Sequence, residues 1–288
     1  MGDIFGYKGK KCVVTGTSSG MGKATAELLI ELGADVYGMD VVEKEIKGLK
    51  FFKANLAEKA DIDNVFSQLP KQFDKFFGVA GVSGMKNDFV TTMIINTVAN
   101  RYIVDKYLLE GERIVNDGAI AICSSIAGGR WQKYTDEYVG MFDAKGSDWE
   151  GQVKYLNDLQ KSYNGELVGP HAYTVSKRAL TYFIKKSVYV AIKRGIRING
   201  IGPGLTETGL INDFKQMVAG SPLETEGVSV IARPAAPKEM AGPLVFLNSD
   251  LATYITGEVI LVAGGLDADI QAHGHVDIMD YPGLPEKK

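Results

Sequence analysis

Short apolar runs alternate with longer stretches of helical periodicity along the chain, and no other feature constrains its fold as tightly. Lys11-Cys12-Val13-Val14, Val36-Tyr37-Gly38-Met39, Lys50-Phe51-Phe52, Phe76-Phe77-Gly78-Val79, Ala119-Ile120-Ala121-Ile122-Cys123, Arg197-Ile198-Asn199-Gly200-Ile201 and Val259-Ile260-Leu261-Val262 read as strands. Helical patterns occupy 21–33, 58–68, 88–110, 173–194 and 237–248. Strands alternating with helices build βαβ units and a parallel sheet. Strands this uniformly apolar need helices on both sheet faces. The expected fold class is α/β, a doubly wound parallel seven-stranded sheet. Ligands of such sheets bind outside the carboxyl ends of the strands, so the residues that follow each strand carry the functional information.

The chain has 288 residues, against roughly 150 per average domain. It reads as one domain spanning 1–288, with extra material inserted at 130–168 and a tail from 266. Lys plus Arg is 32 and Asp plus Glu is 35, a formal net charge of −3. That balance lacks the basic footprint of a nucleic-acid binder. No apolar stretch reaches the ~20 residues that span a bilayer, and the N-terminal residues lack an apolar signal core. A cytoplasmic protein with no membrane or nucleic-acid partner is expected. Cys12 and Cys123 lie in apolar strand-like runs and read as buried free thiols. His171, His273 and His275 are too scattered for a metal site, so no metal is expected. His171 sits near enough to the later helix to line a substrate cleft, while His273 and His275 fall in a Gly/Asp-rich tail that reads as a solvated end.

The first strand runs into Thr15-Gly16-Thr17-Ser18-Ser19-Gly20-Met21-Gly22 and then a helix. Glycines in a strand–turn–helix connection let the backbone approach a pyrophosphate, and the helix N-terminus presents free N–H groups and a positive dipole end. Asp40 ends the second strand. A carboxylate there accepts from adenosine ribose hydroxyls and repels a 2′-phosphate, and no Arg or Lys lies within 17–22 to receive such a phosphate. The cofactor expected is NAD rather than NADP.

Tyr173 and Lys177 are four apart on a helical pattern and share a face. A nearby ammonium lowers a phenol pKa and brings it toward a range useful for acid/base work. Ser125 ends the fifth strand, where its hydroxyl can donate to a carbonyl oxygen and hold it against the phenol. Asn96 lies in the preceding helix, where an Asn by itself is a local backbone hydrogen-bonder. After the sixth strand, Pro203-Gly204-Leu205-Thr206-Glu207-Thr208 makes another sharp turn, bringing backbone groups and Thr208 toward a nicotinamide carboxamide.

These pieces, in this order, resemble a short-chain dehydrogenase/reductase of the common Rossmann type, over about residues 9–265. The resemblance implies a general acid/base in Tyr173, a substrate-orienting hydroxyl in Ser125, and a nicotinamide-ribose ligand in Lys177 that also lowers the Tyr173 pKa. Asn96 would anchor a water linking Lys177 to solvent. Gly16, Ser18, Ser19, Gly20, Met21, Gly22 and Asp40 would hold the cofactor's phosphates and ribose. Asn55, Leu56, Ala80 and Gly81 would border its adenosine half, and Pro203, Gly204, Thr206 and Thr208 its nicotinamide half. Three departures from the family pattern stand out: Asn55 replaces the acidic residue after strand three, Gly78-Val79 replaces the first half of Asn-Asn-Ala-Gly, and Ala263 replaces the Asp before the last glycine pair.

Ser125 and Tyr173 are 48 positions apart, far more than the ~4–6 residues of a typical connection. The excess, 130–168, holds both tryptophans of the chain, Trp131 and Trp149. Tyr134, Tyr138, Met141 and Phe142 have helical spacing, as do Trp149, Val153, Tyr155, Leu156 and Leu159, so a helical hairpin is expected. Its aromatic residues either pack against their own chain or form a homo-oligomer contact. Within the family, this insertion and the Pro-Gly-x-Thr-Glu-Thr turn resemble the bacterial 3α-hydroxysteroid dehydrogenase/carbonyl reductases. That implies a steroid or bile-acid alcohol as substrate, with a broad carbonyl reductase and a non-catalytic dinucleotide sensor as alternatives. Residues 205–235 would form a substrate loop with Leu205, Leu210, Ile211, Phe214 and Met217 as its apolar wall.

Overall fold

The computed structural model describes residues 3–218, 230–274 and 276–286. Among these, one sheet runs in the order β3-β2-β1-β4-β5-β6-β7. Its strands are β1 (Lys11–Thr15), β2 (Asp35–Asp40), β3 (Leu49–Lys53), β4 (Phe73–Gly78), β5 (Ile114–Cys123), β6 (Arg197–Pro203) and β7 (Val259–Val262). Every neighbouring pair is parallel. The strand order reverses between β1 and β4, which opens the crevice where such sheets take ligands.

Helices cover both faces. On one side lie α1 (Gly20–Glu31) and α7 (Pro237–Asn248), with a core that includes Val14, Leu29, Val36 and Leu244. The other side carries α2 (Lys59–Gln68), a long helical tract α3 (89–110) and α5 (Gly169–Ala191), around Phe66, Phe76, Val98, Ile120 and Ile184. This two-sided burial is why the strands read as continuous apolar runs rather than alternating ones. The tract α3 is not uniform: π-helical turns occupy Ile94–Val98 and Ile103–Glu110. Such bulges swell a helix locally and often mark functional sites, and the first of them carries Asn96.

The insertion is helical, but only its second arm is an α-helix, α4 (Trp149–Ser162), started by the Asp148 carboxylate accepting from the Gly151 N–H at 2.9 Å. The first arm is two short 3₁₀ segments, Trp131–Glu137 and Val139–Asp143, which break at Tyr138. Tyr138, Met141, Phe142, Trp149 and Leu156 are buried within this one chain. Tyr138 and Phe142 pack on Tyr182, and Trp149 meets Tyr102 edge-on at 5.4 Å. The buried Arg101 guanidinium ties the two arms together, donating to the Met141 and Ala144 carbonyls and to Gln152 Oε1 at 2.9, 2.6 and 3.1 Å. Of the insertion's aromatics, Tyr138, Phe142 and Trp149 are thus covered by the chain itself, while Trp131, Tyr134, Tyr155 and Tyr163 are only half-buried.

After α6 (Ile211–Val218), the part of the expected substrate loop at 219–229 lies outside the described residues. The tail is not a solvated end. Helix α8 (Leu266–His273) follows β7, and segment 276–286 then doubles back across the insertion, with Met279 and Leu284 buried. His275 lies outside the described residues.

Candidate active site

The turn after β1 is held rigidly against the sheet. The Thr15 hydroxyl accepts from the Val79 and Ala80 N–H groups at 3.0 and 3.1 Å, and the Gly16 N–H donates to the Met39 carbonyl at 2.8 Å. Gly16 has φ +81°, and a Cβ there would lie 2.9 Å from the Ala80 Cα. A Cβ on Gly22 would lie 2.1 Å from the Gly16 carbonyl oxygen. Only glycine lets helix and turn come this close. Ser19 caps α1 without a side-chain hydrogen bond, and the first turn holds no acidic residue. The free N–H groups and positive dipole end therefore stay available to an anion.

Asp40 stands beside this cradle. Its carboxylate accepts from the Ser18 N–H at 2.9 Å and from the Val41 N–H at 2.7 Å, while the Ser18 hydroxyl donates to the Val42 carbonyl. Across β4, a Cβ on Gly81 would lie 3.2 Å from Asn96 Oδ1 and 3.4 Å from Lys177 Nζ. The glycines Gly16, Gly20, Gly22 and Gly81 keep this backbone open, which suits a dinucleotide laid across the strand ends. Asn55 is less available than its amide suggests: its Oδ1 accepts from the Ala57 N–H at 3.0 Å, closing a local turn, and Leu56 is buried.

At the ends of β5 and β6 the structure brings Ser125, Tyr173 and Lys177 together. The Tyr173 hydroxyl donates to Ser125 Oγ at 3.1 Å, and Ser125 Oγ also accepts from the Ala127 N–H at 3.2 Å. Lys177 Nζ donates to the Cys123 carbonyl at 3.1 Å and stands 5.8 Å from the Tyr173 ring centroid. Burial pushes the Tyr173 phenol well above its ordinary value, outweighing the Ser125 hydrogen bond that pulls it down. The same burial pushes the Lys177 ammonium below its ordinary value. The expectation that Lys177 lowers the Tyr173 pKa is not met: desolvation dominates, and the ammonium's hydrogen bond goes to a backbone carbonyl. Asn96 is fully buried and acts as a strut, with its amide accepting from the Val82 N–H at 2.9 Å and donating to the Val82 carbonyl and Ser176 Oγ at 3.0 and 3.1 Å.

Beside this cluster opens a cavity of about 580 Å³, bordered by Met21, Gly81, Ser125, Tyr173, Lys177, Pro203, Gly204, Thr206 and Thr208. Helix α6 lies over it, with the Phe214 ring 5.0 Å from that of Tyr173. Leu205, Leu210, Phe214 and Met217 wall the cavity as the sequence suggested; Ile211 does not reach it. His171 stays out as well, its Nδ1 accepting from the Val168 N–H at 3.2 Å at the start of α5.

Residues 160–267 match the family profile described as Enoyl-(Acyl carrier protein) reductase. The coniferyl-alcohol dehydrogenase of Pseudomonas sp. (strain HR199 / DSM 7063) is 31% identical over 266 residues, covering 89% of this chain and 96% of that one. The chain belongs to the short-chain dehydrogenase/reductase family. Further relatives of this dehydrogenase/reductase include the 3-alpha-hydroxysteroid dehydrogenase/carbonyl reductase of Comamonas testosteroni, 27% identical and covering 89% of this chain and 96% of that one. In fold it resembles the 3-alpha-hydroxysteroid dehydrogenase from Pseudomonas sp. B-0831, solved with NADH, at a TM-score of 0.72 and 23% identity, covering 92% of this chain and 99% of that chain. As a member of this family it is an oxidoreductase that works with a nicotinamide dinucleotide.

Sequence reasoning missed two parts of this dehydrogenase/reductase. The Ser83 hydroxyl donates to Asp213 Oδ2 at 2.6 Å in a buried contact, pinning α6 over the cavity. Nothing in a lone Ser after β4 announces that bond. The second is the C-terminal segment, whose Ile278, Met279, Tyr281 and Pro282 form part of the cavity wall. Its signal lay in Arg178, a charged residue among the apolar positions of α5.

Proposed function

We propose that this protein is an NAD-dependent dehydrogenase that interconverts a secondary alcohol and a ketone on a bulky apolar substrate, with hydroxysteroids and bile acids as the favoured class and the 3-hydroxyl as the reacting position. The observation that carries this reading is the Tyr173–Ser125 hydroxyl pair, 3.1 Å apart, at the edge of a large, mostly apolar cavity. Two hydroxyls at that spacing can both hold one substrate oxygen. The bound nicotinamide would supply or accept the hydride. During oxidation Tyr173 takes the hydroxyl proton, and during reduction it returns one, while Ser125 steadies the oxygen. Lys177, beside Gly81 and the phenol, supplies a donor for the nicotinamide ribose.

Choice of NAD over NADP rests on Asp40, which is fixed beside the Ser18 N–H and would repel a 2′-phosphate. The steroid assignment draws support from the names of the Comamonas relative and of the 3beta-hydroxysteroid dehydrogenase 2 of Eggerthella lenta, 29% identical. A broad carbonyl reductase is the second reading, favoured by the adaptable methionines Met21, Met217 and Met279 around the cavity. A homo-oligomer through the 130–168 insertion belongs to the same proposal, supported by its half-buried Trp131, Tyr134, Tyr155 and Tyr163. The test is an absorbance screen of NAD+ and NADP+ reduction over steroids and bile acids differing in hydroxyl position and epimer, with small aromatic ketones run in reverse. A preference for NADPH overturns the Asp40 argument, and higher kcat/KM on small aromatic ketones selects the second reading.

A further inference from the structure

The face of α5 beside Lys177 carries a fully buried Arg178, whose guanidinium stacks 3.7 Å from the Tyr134 ring centroid. One nitrogen donates to Glu137 Oε2 at 3.1 Å. The other donates to the Met279 carbonyl at 3.2 Å and to the Tyr281 carbonyl. Glu137 Oε1, in turn, accepts from the Gly283 and Leu284 N–H groups at 2.7 and 3.1 Å. One buried ion pair thus satisfies backbone groups on both flanks of the C-terminal segment. At such a site each charge needs its partner and its hydrogen bonds, because an unpaired buried charge is costly.

A second, more exposed ring of contacts surrounds the first. Arg130 pairs with Asp277 at 2.7 Å and Asp267 at 3.1 Å; Lys133 meets Asp280 at 2.5 Å, and the Tyr134 hydroxyl donates to the same carboxylate at 3.0 Å. Arg130, Lys133, Tyr134 and Glu137 all belong to the first arm of the insertion. Gly283 lets the segment press down close to α5, since a Cβ there would lie 2.8 Å from Val175 Cγ2. The same segment presents Met279 and Tyr281 to the cavity that holds Ser125 and Tyr173.

We propose that the insertion serves substrate selection. Its Glu137, with Arg178, clasps segment 276–286 as a strap, and Met279 and Tyr281 of the strap form the wall that favours bulky apolar substrates over small ones. Glu137 and Arg178 are positioning residues, acting through the strap. This rests on the reading that the cavity receives the alcohol or ketone.

The test compares the wild-type chain with Tyr281→Ala, which removes an outer side chain of the wall, and with Glu137→Gln, which weakens the clasp. Each is assayed with a steroid alcohol and with cyclohexanol. The ratio of kcat/KM for the steroid to that for cyclohexanol falls about tenfold in both variants, carried by KM. Calorimetric titration of the same steroid into each protein gives the comparison without turnover. An unchanged ratio together with unchanged steroid affinity in Tyr281→Ala overturns the strap proposal, as does an equal loss on both substrates. If the wild type binds the steroid without turning over any alcohol, the proposed function fails, and the strap is judged on binding alone. If the wild type does not bind the steroid, the strap proposal fails too.

Discussion

Replacing Gly22 with Ala puts the cofactor cradle to a quantitative test. The new Cβ would lie 2.1 Å from the Gly16 oxygen, 2.6 Å from the Gly16 carbonyl carbon and 3.0 Å from the Thr15 oxygen, all of them backbone atoms. The turn cannot yield, because Gly16 and Thr15 are bonded to Met39, Val79 and Ala80. The N-terminus of α1 must instead move outward by about 1 Å to reach ordinary contact. That strains the packing of Ala26 and Leu29, which are fully buried. Overpacking of this kind costs about 2–3 kcal/mol, or about 3–5 °C in Tm for a chain of this size. A displacement of ~1 Å at positioning groups costs about 100-fold in turnover, and the NADH Kd rises with it. Fluorescence titration and thermal melts measure the two effects. Gly33→Ala is the control: Gly33 has φ +83° at the far end of α1, so Tm falls while the NADH Kd stays within twofold. Wild-type NADH affinity in Gly22→Ala would refute the placement of the cofactor, and an unchanged Tm would refute the packing argument.

Tyr173→Phe loses about 10²–10⁴-fold in turnover while NADH still binds, and retained turnover rules out the phenol as acid/base. Because burial raises the Tyr173 pKa, the base form needed for oxidation grows in only as pH rises. Oxidation kcat/KM therefore climbs through the alkaline range, and reduction, which needs the neutral phenol, is already full near neutrality. An oxidation profile that is flat from neutral to alkaline pH contradicts this assignment. Ser83→Ala removes a hydrogen bond to a carboxylate worth about 1.5–3 kcal/mol; its effect falls on α6, so substrate KM rises about tenfold or more while Tm moves little. Asp105 is pushed up to about 6 from 3.8 by burial. Its neutral form stabilises the fold below about pH 4, and that contribution is lost as pH rises through about 6. The stability of Asp105→Asn relative to wild type should accordingly improve between those values in urea titrations.

The sheet was legible because both its faces are buried, which leaves an unbroken apolar signature. The strand read most short shows the limit of that signal: β5 begins at Ile114 and passes through the exposed Asn116 and Asp117 before its apolar half. Ser125, Tyr173, Lys177 and the glycine turn were legible because their chemistry ties particular residue types to particular strand ends. The π-turns in α3 leave no mark on composition, and the 3₁₀ arm of the insertion carries the same aromatic spacing as an α-helix. The tail misled most. Its Asp277 and Asp280 look solvent-seeking in one dimension, and only the fold brings Arg130 and Lys133 to meet them.

The clasp also bears on the order in which the protein assembles. Glu137 and Gly283 are 146 positions apart, and Arg178 and Met279 are 101 apart. Contacts that close such long loops form late and slow folding. The cradle around β1 and α1 closes shorter loops, its longest bond reaching from Thr15 to Ala80 across 65 positions. The adenosine half of the cofactor would thus be met by the first third of the chain, whereas its nicotinamide half and the substrate meet residues from the rest of it.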